Sequence, residues 1–113
     1  MASRKTGIFS DEQIEEAARL FAVLSDASRL RLLKALMVSE HTVGELVEIT
    51  GLSQANVSKH LAMLHGVHFV ERRKQGNFVI YKICDPVIGD LCSLVCGRIQ
   101  NEAGRLARLF AGS

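Results

Sequence analysis

Tryptophan is absent from this chain and aromatic residues make up only 5% of it. The core must therefore be aliphatic. Leu, Ile, Val and Ala are plentiful within a hydrophobic fraction of 48%, and 23% charged residues describe a globular rather than a disordered sequence. No apolar run approaches the length of a membrane span, and residues 1–7 carry Arg4 and Lys5 without the apolar stretch of a signal peptide, so a cytoplasmic protein is expected. A phosphate-binding loop, a dinucleotide glycine pattern and a His-Asp-Ser or metalloprotease arrangement are also missing, which argues against an enzyme. The three cysteines are an odd number in a chain without an export signal. A disulfide framework is thereby disfavoured, leaving packing, metal binding or redox sensing.

What is present is 113 residues, enough for one domain, expected over 11–113 behind a flexible segment at 1–10. A chain this short buries a modest share of its surface, so pairing with a second copy is an expected source of stability. The net charge of +2 says little by its sum; its placement says more. Residues 53–82 hold Lys59, Arg72, Arg73, Lys74 and Lys82 against Glu71 alone, whereas Asp11, Glu12, Glu15 and Glu16 form the acidic start of a helix.

Ser10 caps that first helix, read from Asp11 to Leu24 with Ile14, Ala17, Ala18, Phe21 and Leu24 at helical spacing. Ser25-Asp26 starts a second helix, carried by Leu30, Leu33, Ala35, Leu36 and Met37 to about Val38. After a link at Ser39-Glu40-His41, Thr42 and Glu45 form a capping box for a short third helix that stops at Gly51. Ser53 caps a fourth, whose Val57, Leu61 and Leu64 share a core-facing side. The opposite face, Ala55, Asn56, Ser58, Lys59 and Ala62, carries no bulky apolar group. A solvated surface helix has such a face too. Two short helices joined tightly at Thr50-Gly51-Leu52, the second with small polar residues near its start, are what insertion into the major groove of DNA requires.

Phe69 to Arg73 and Phe78 to Ile83 read as strands around Gln75-Gly76-Asn77, giving a hairpin with a basic tip. Arg72, Arg73, Lys74 and Asn77 would there reach phosphates or the adjacent minor groove. A last helix starts near Pro86 and carries Ile88, Leu91, Leu94, Val95, Ile99, Leu106, Leu109 and Phe110. The first and last helices together hold more apolar surface than one small domain covers, which places a dimer interface on them. The fold expected is mainly α with a β-hairpin, an α+β winged helix-turn-helix.

The runs Leu24-Ser25-Asp26-Ala27-Ser28-Arg29-Leu30-Arg31-Leu32-Leu33 and Leu52-Ser53-Gln54-Ala55-Asn56-Val57-Ser58-Lys59-His60-Leu61, followed by a hairpin ending in Tyr81, resemble the ArsR/SmtB family of metal-, metalloid- and thiol-responsive repressors. The resemblance covers roughly residues 15 to 100. It implies a dimer that blocks transcription at its own double-stranded operator and leaves when a small inducer binds. It also implies that Gln54, Ala55, Ser58 and Lys59 contact the operator and that the hairpin tip contacts its flanks. The chain also departs from the family pattern. Lys59 stands where many relatives have histidine, which predicts a different base preference or a phosphate contact. His68 stands where relatives carry glycine, so the fourth helix is expected to end sooner, at His65-Gly66. The third helix reads Val43-Gly44-Glu45-Leu46-Val47-Glu48-Ile49, without the Cys-x-Cys pair of some metalloid sensors. Asp85 survives from the family's zinc-type site, but Val87 and its apolar neighbours replace the imidazoles that tetrahedral zinc needs.

Cys92 and Cys96 share one face of the last helix, with Cys84 at the end of the preceding strand. Three thiolates suit a soft metal or metalloid ion such as trivalent arsenic or antimony, or lead, with Cys84 joining from its own subunit or ligands mixing across the dimer. Two other uses stay open: cysteines that only pack within the apolar stripe, and thiol redox or persulfide sensing. A winged helix reused as a protein-interaction module without DNA binding is the competing function.

Overall fold

The structure, a computed structural model, describes residues 9–111. Most of the flexible segment expected at 1–10 lies outside the described residues. Ser10 lies within them and caps helix α1 (Asp11–Leu24): its hydroxyl accepts from Gln13 N–H while the Gln13 side chain accepts from Ser10 N–H. Helix α2 (Ala27–Val38) starts on Asp26, whose carboxylate accepts from Arg29 N–H at 3.1 Å. The Thr42/Glu45 capping box opens α3 (Val43–Thr50), and Gly51 closes it at φ 74°, a left-handed conformation that suits glycine. Ser53 caps α4 (Gln54–Gly66). Strands β2 (Val70–Gln75) and β3 (Phe78–Ile83) form the hairpin, and α5 (Pro86–Ala111) follows, with Asp85 Oδ1 accepting from Val87 N–H.

Where the sequence suggested only a link, His41–Thr42 forms a short strand, β1, antiparallel to β3. The sheet order is β1-β3-β2, so the hairpin is anchored to the helical body along the β3 edge. A two-residue strand leaves no periodicity to read, because its identity depends on the partner and not on its own alternation.

The core lies where α2, α3 and α4 meet the sheet. Leu32, Leu33 and Leu36 of α2, Leu46 of α3, and Val57, Leu61 and Leu64 of α4 are buried together with Phe69, Val70, Tyr81 and Ile88. Burying each such Leu or Val side chain contributes about 1.5–3 kcal/mol. Of the apolar residues read as carrying this helix, Leu30 and Met37 are exposed, whereas Leu32, outside that set, is fully buried. The terminal helices are underpacked. In α1 only Val23 is buried, while Ile14 and Phe21 are exposed; in α5 only Ile88 is buried, while Leu94, Val95 and Ile99 are exposed. The radius of gyration is 17.7 Å, against about 13 Å for a compact chain of this size. The two terminal helices thus splay away from a core built by the middle of the chain. The architecture is a winged helix-turn-helix, as expected.

Candidate nucleic-acid interface

Helix α4 divides cleanly. Val57, Leu61 and Leu64 are fully buried, whereas Gln54, Ala55, Asn56, Ser58 and Lys59 are all exposed on the first two turns. The helix is fixed by its core face and by the Ser53 cap, leaving a protruding N-terminal half whose side chains are short or hydrogen-bonding. Gly51 closes α3 in a left-handed conformation, and Leu52 and Ser53 lead directly from it into α4. Such a face can enter a groove about 12 Å wide without clashing.

The buried side of α4 also holds a residue that the sequence reading missed. His60 is 8% exposed, and its Nδ1 lies 3.4 Å from Arg29 Nη1. Arg29 Nε donates to the Val23 carbonyl at 2.6 Å, and its Nη1 also donates to Met63 Sδ at 3.1 Å. The spacing carried the signal: 57, 60, 61 and 64 form one helical stripe.

At the end of α4 the chain turns through Val67, and His68 adopts φ 63°. The helix does end at Gly66, and histidine occupies the left-handed position itself. The hairpin then pairs in strict register, Arg72 opposite Tyr81, Arg73 opposite Ile80 and Lys74 opposite Val79. Gly76-Asn77 forms the turn, with Gly76 at φ 61°. Arg72, Lys74 and Asn77 are exposed and make no ion pair among the described residues; Arg73 differs, because it pairs with Glu40 and donates to Gln75. The Arg73 guanidinium holds the Glu40 carboxyl below its ordinary pKa.

The three cysteines are not gathered by one chain. Among the described residues no group of three or more His, Cys, Asp or Glu side chains is placed to hold a metal ion. Cys92 is half-buried against the core, Cys96 is exposed one turn on, and the Cys84 thiol donates to the His68 carbonyl at 3.3 Å. Burial pushes the Cys84 thiol up, with Glu71 and Asp85 adding to the effect; burial and then Cys96 do the same for Cys92. No helix among the described residues is long and apolar enough to cross a membrane.

Comparison with known proteins decides the family. A model described as bacterial regulatory protein, arsR family, matches residues 26–72, the span from the α2 cap into the hairpin. A probable mercury resistance operon repressor from Streptomyces lividans is 39% identical over 90 residues, covering 79% of this chain and 72% of that protein. This chain belongs to the ArsR family. Solved members of similar shape include the AntR antimony-specific transcriptional repressor, with a TM-score of 0.77 at 28% identity over 84% of this chain and 86% of that one. Another is the homodimeric winged helix-turn-helix DNA-binding domain of a possible ArsR-family regulator from Mycobacterium bovis, with a TM-score of 0.76 at 25% identity over 86% and 93% of the two chains. ArsR-family proteins are DNA-binding transcriptional regulators.

Proposed function

We propose that this ArsR-family protein is a homodimeric, sequence-specific transcriptional repressor, not an enzyme, that leaves its operator when a thiol-seeking inducer binds. One observation carries the DNA reading: Gln54, Ala55, Asn56, Ser58 and Lys59 stand free on a helix whose other face is fully buried. Ser58 and Lys59 reach base edges, Gln54, Ala55 and Asn56 line the approach, and hairpin cations with Asn77 meet the flanking backbone. The exposed apolar residues of α1 and α5 support dimerisation through these helices, because Ile14, Phe21, Leu94 and Ile99 are left more than half exposed among the described residues. A dimer also places two recognition helices about one DNA turn, roughly 34 Å, apart. The described helices and the regulator role fit a cytoplasmic protein without a membrane partner.

For the inducer, Cys92 and Cys96 are the pair of choice, one turn apart on an α5 face that meets the proposed dimer interface. A soft metal or metalloid ion would supply strong sulfur bonds there. The third sulfur of a trigonal arsenic or antimony site has to come from Cys84 or from a second chain. A redox or persulfide sensor instead needs a thiol of lowered pKa, and Cys84 and Cys92 are shifted the other way. The test is fluorescence anisotropy with duplex DNA from the chain's own promoter and a scrambled duplex at the same salt, with and without arsenite, antimonite, lead and polysulfide. Equal affinity for both duplexes would overturn the repressor assignment and favour the protein-interaction module. Sedimentation of an Ile99→Glu variant as a monomer would support the dimer face.

A further inference from the structure

The hairpin cations belong to two different faces. Successive side chains of a strand point to opposite sides. In β2, Val70 is buried and Arg72 and Lys74 share its side, opposite Tyr81 and Val79; Glu71, Arg73 and Gln75 lie on the other, opposite Lys82, Ile80 and Phe78. On that outer face each cation has an anion: Lys82 pairs with Glu71 at 3.2 Å and Arg73 pairs with Glu40. On the core-side face, toward which α4 packs on β2, Arg72 and Lys74 have no ion pair among the described residues.

The Glu40–Arg73 pair also spans the sheet. Glu40 immediately precedes β1, Arg73 is in β2, and β3 lies between them. From Glu71 to Val79 every residue is exposed, so no core contact sets the angle of the hairpin tip, and two-stranded ribbons twist readily. We infer that Glu40 and Arg73 form a strap that sets the pitch of the wing relative to α4, and that Arg72 and Lys74, rather than Arg73, make the wing's phosphate contacts. This rests on the reading of the chain as a DNA-binding repressor. Arg73 is then a positioning residue: it acts on DNA through the angle at which it holds its two neighbours.

The strap and a simple electrostatic patch make opposite predictions for Glu40. If charge alone mattered, removing an anion beside the wing would strengthen DNA binding; if the pair is a strap, removing either partner weakens it. The experiment measures full-length protein on its promoter duplex and on a scrambled duplex by anisotropy across a salt series. Arg72→Gln and Lys74→Gln are each expected to weaken binding to both duplexes and to reduce the slope of log affinity against log salt by about one. Arg73→Gln and Glu40→Gln are each expected to weaken promoter binding by up to about fivefold, the scale of an exposed ion pair, with the slope unchanged. The exchanged pair Glu40→Arg with Arg73→Glu should recover most of the loss. All of these positions are exposed, and circular dichroism checks that each variant folds. Tighter binding by Glu40→Gln, or a slope reduced by about one in Arg73→Gln, would overturn the strap and make Arg73 a phosphate contact with which Glu40 competes. Wild-type protein that does not distinguish the two duplexes would instead overturn the repressor reading, and the strap with it.

Discussion

Arg29 and His60 join the end of α1 to α4: the guanidinium that holds the Val23 carbonyl at 2.6 Å also lies 3.4 Å from His60 Nδ1. The contact sets a planar guanidinium against the buried imidazole edge. The link connects a proposed dimer helix with the helix proposed to read DNA, through a fork that lysine cannot reproduce. Arg29→Ala should destabilise the protein by about 1–3 kcal/mol, the cost of leaving buried polar partners unmet. Arg29→Lys should resemble Ala more than wild type. Urea unfolding checks both, and a lysine variant as stable as wild type would reduce the link to a charge contact.

The two faces of α4 should separate stability from specificity. Leu61→Ala empties part of the core and should cost about 2–5 kcal/mol. Ser58→Ala and Lys59→Ala sit on the exposed face and should change stability by no more than about 0.5 kcal/mol. They should nevertheless abolish the preference for promoter over scrambled DNA, at a cost of about 1–3 kcal/mol for each lost base contact. Unchanged discrimination in both variants would move the base contacts off this helix.

These faces were legible in the sequence because helical spacing and capping residues are local. Ser10, Asp26, Thr42 and Ser53 each cap the helix that their position announced, and Val57, Leu61 and Leu64 are buried as their spacing required. What escaped was non-local. Strand β1 exists only through Tyr81 and Ile80, and the pairing of Arg73 with Glu40 depends on a sheet order that no spacing reveals. Leu30 and Leu32 exchanged places for a similar reason, since α2 is apolar on several sides and only its packing against α4 and β3 selects the buried one. Among the candidate DNA-contacting residues, Arg73 is the one that the structure sets apart.

The capping box at α3 makes a pH prediction. Glu45 accepts from Thr42 N–H at 2.8 Å, and this hydrogen bond, more than the nearby His41, holds its carboxyl below the ordinary pKa. A carboxyl with a lowered folded-state pKa stabilises the fold above its unfolded value, about 4.3 for glutamate, and that contribution is lost as pH falls through the folded pKa. Glu45→Gln keeps an oxygen for Thr42 but cannot titrate. Stability followed by chemical denaturation between pH 7 and pH 3 should therefore fall less steeply in Glu45→Gln than in wild type. Parallel curves would show that the Glu45 carboxyl titrates alike in the folded and unfolded chain.

The last prediction concerns release. Cys92 sits half-buried on the α5 face beside the core, and Cys96 is exposed one turn away, so an ion bridging them would alter the helix on which we place the dimer contact. Release from DNA then needs a coupling free energy of about 1–3 kcal/mol, or roughly 5- to 150-fold in operator affinity, and DNA must weaken inducer binding by the same factor. Cys92→Ser and Cys96→Ser should each leave operator affinity nearly intact while abolishing release. Cys84→Ser should give a smaller or ion-selective loss, because its thiol is engaged with the His68 carbonyl at the end of the hairpin. Burial pushes the Cys92 thiol pKa up, so a soft ion binding the thiolate must displace a proton, and inducer affinity should rise with pH by up to about tenfold per unit for each proton released. A double Cys92/Cys96 serine variant that still releases DNA with arsenite, antimonite and lead, at a potency independent of pH, would leave the cysteines as core residues and place the sensor elsewhere.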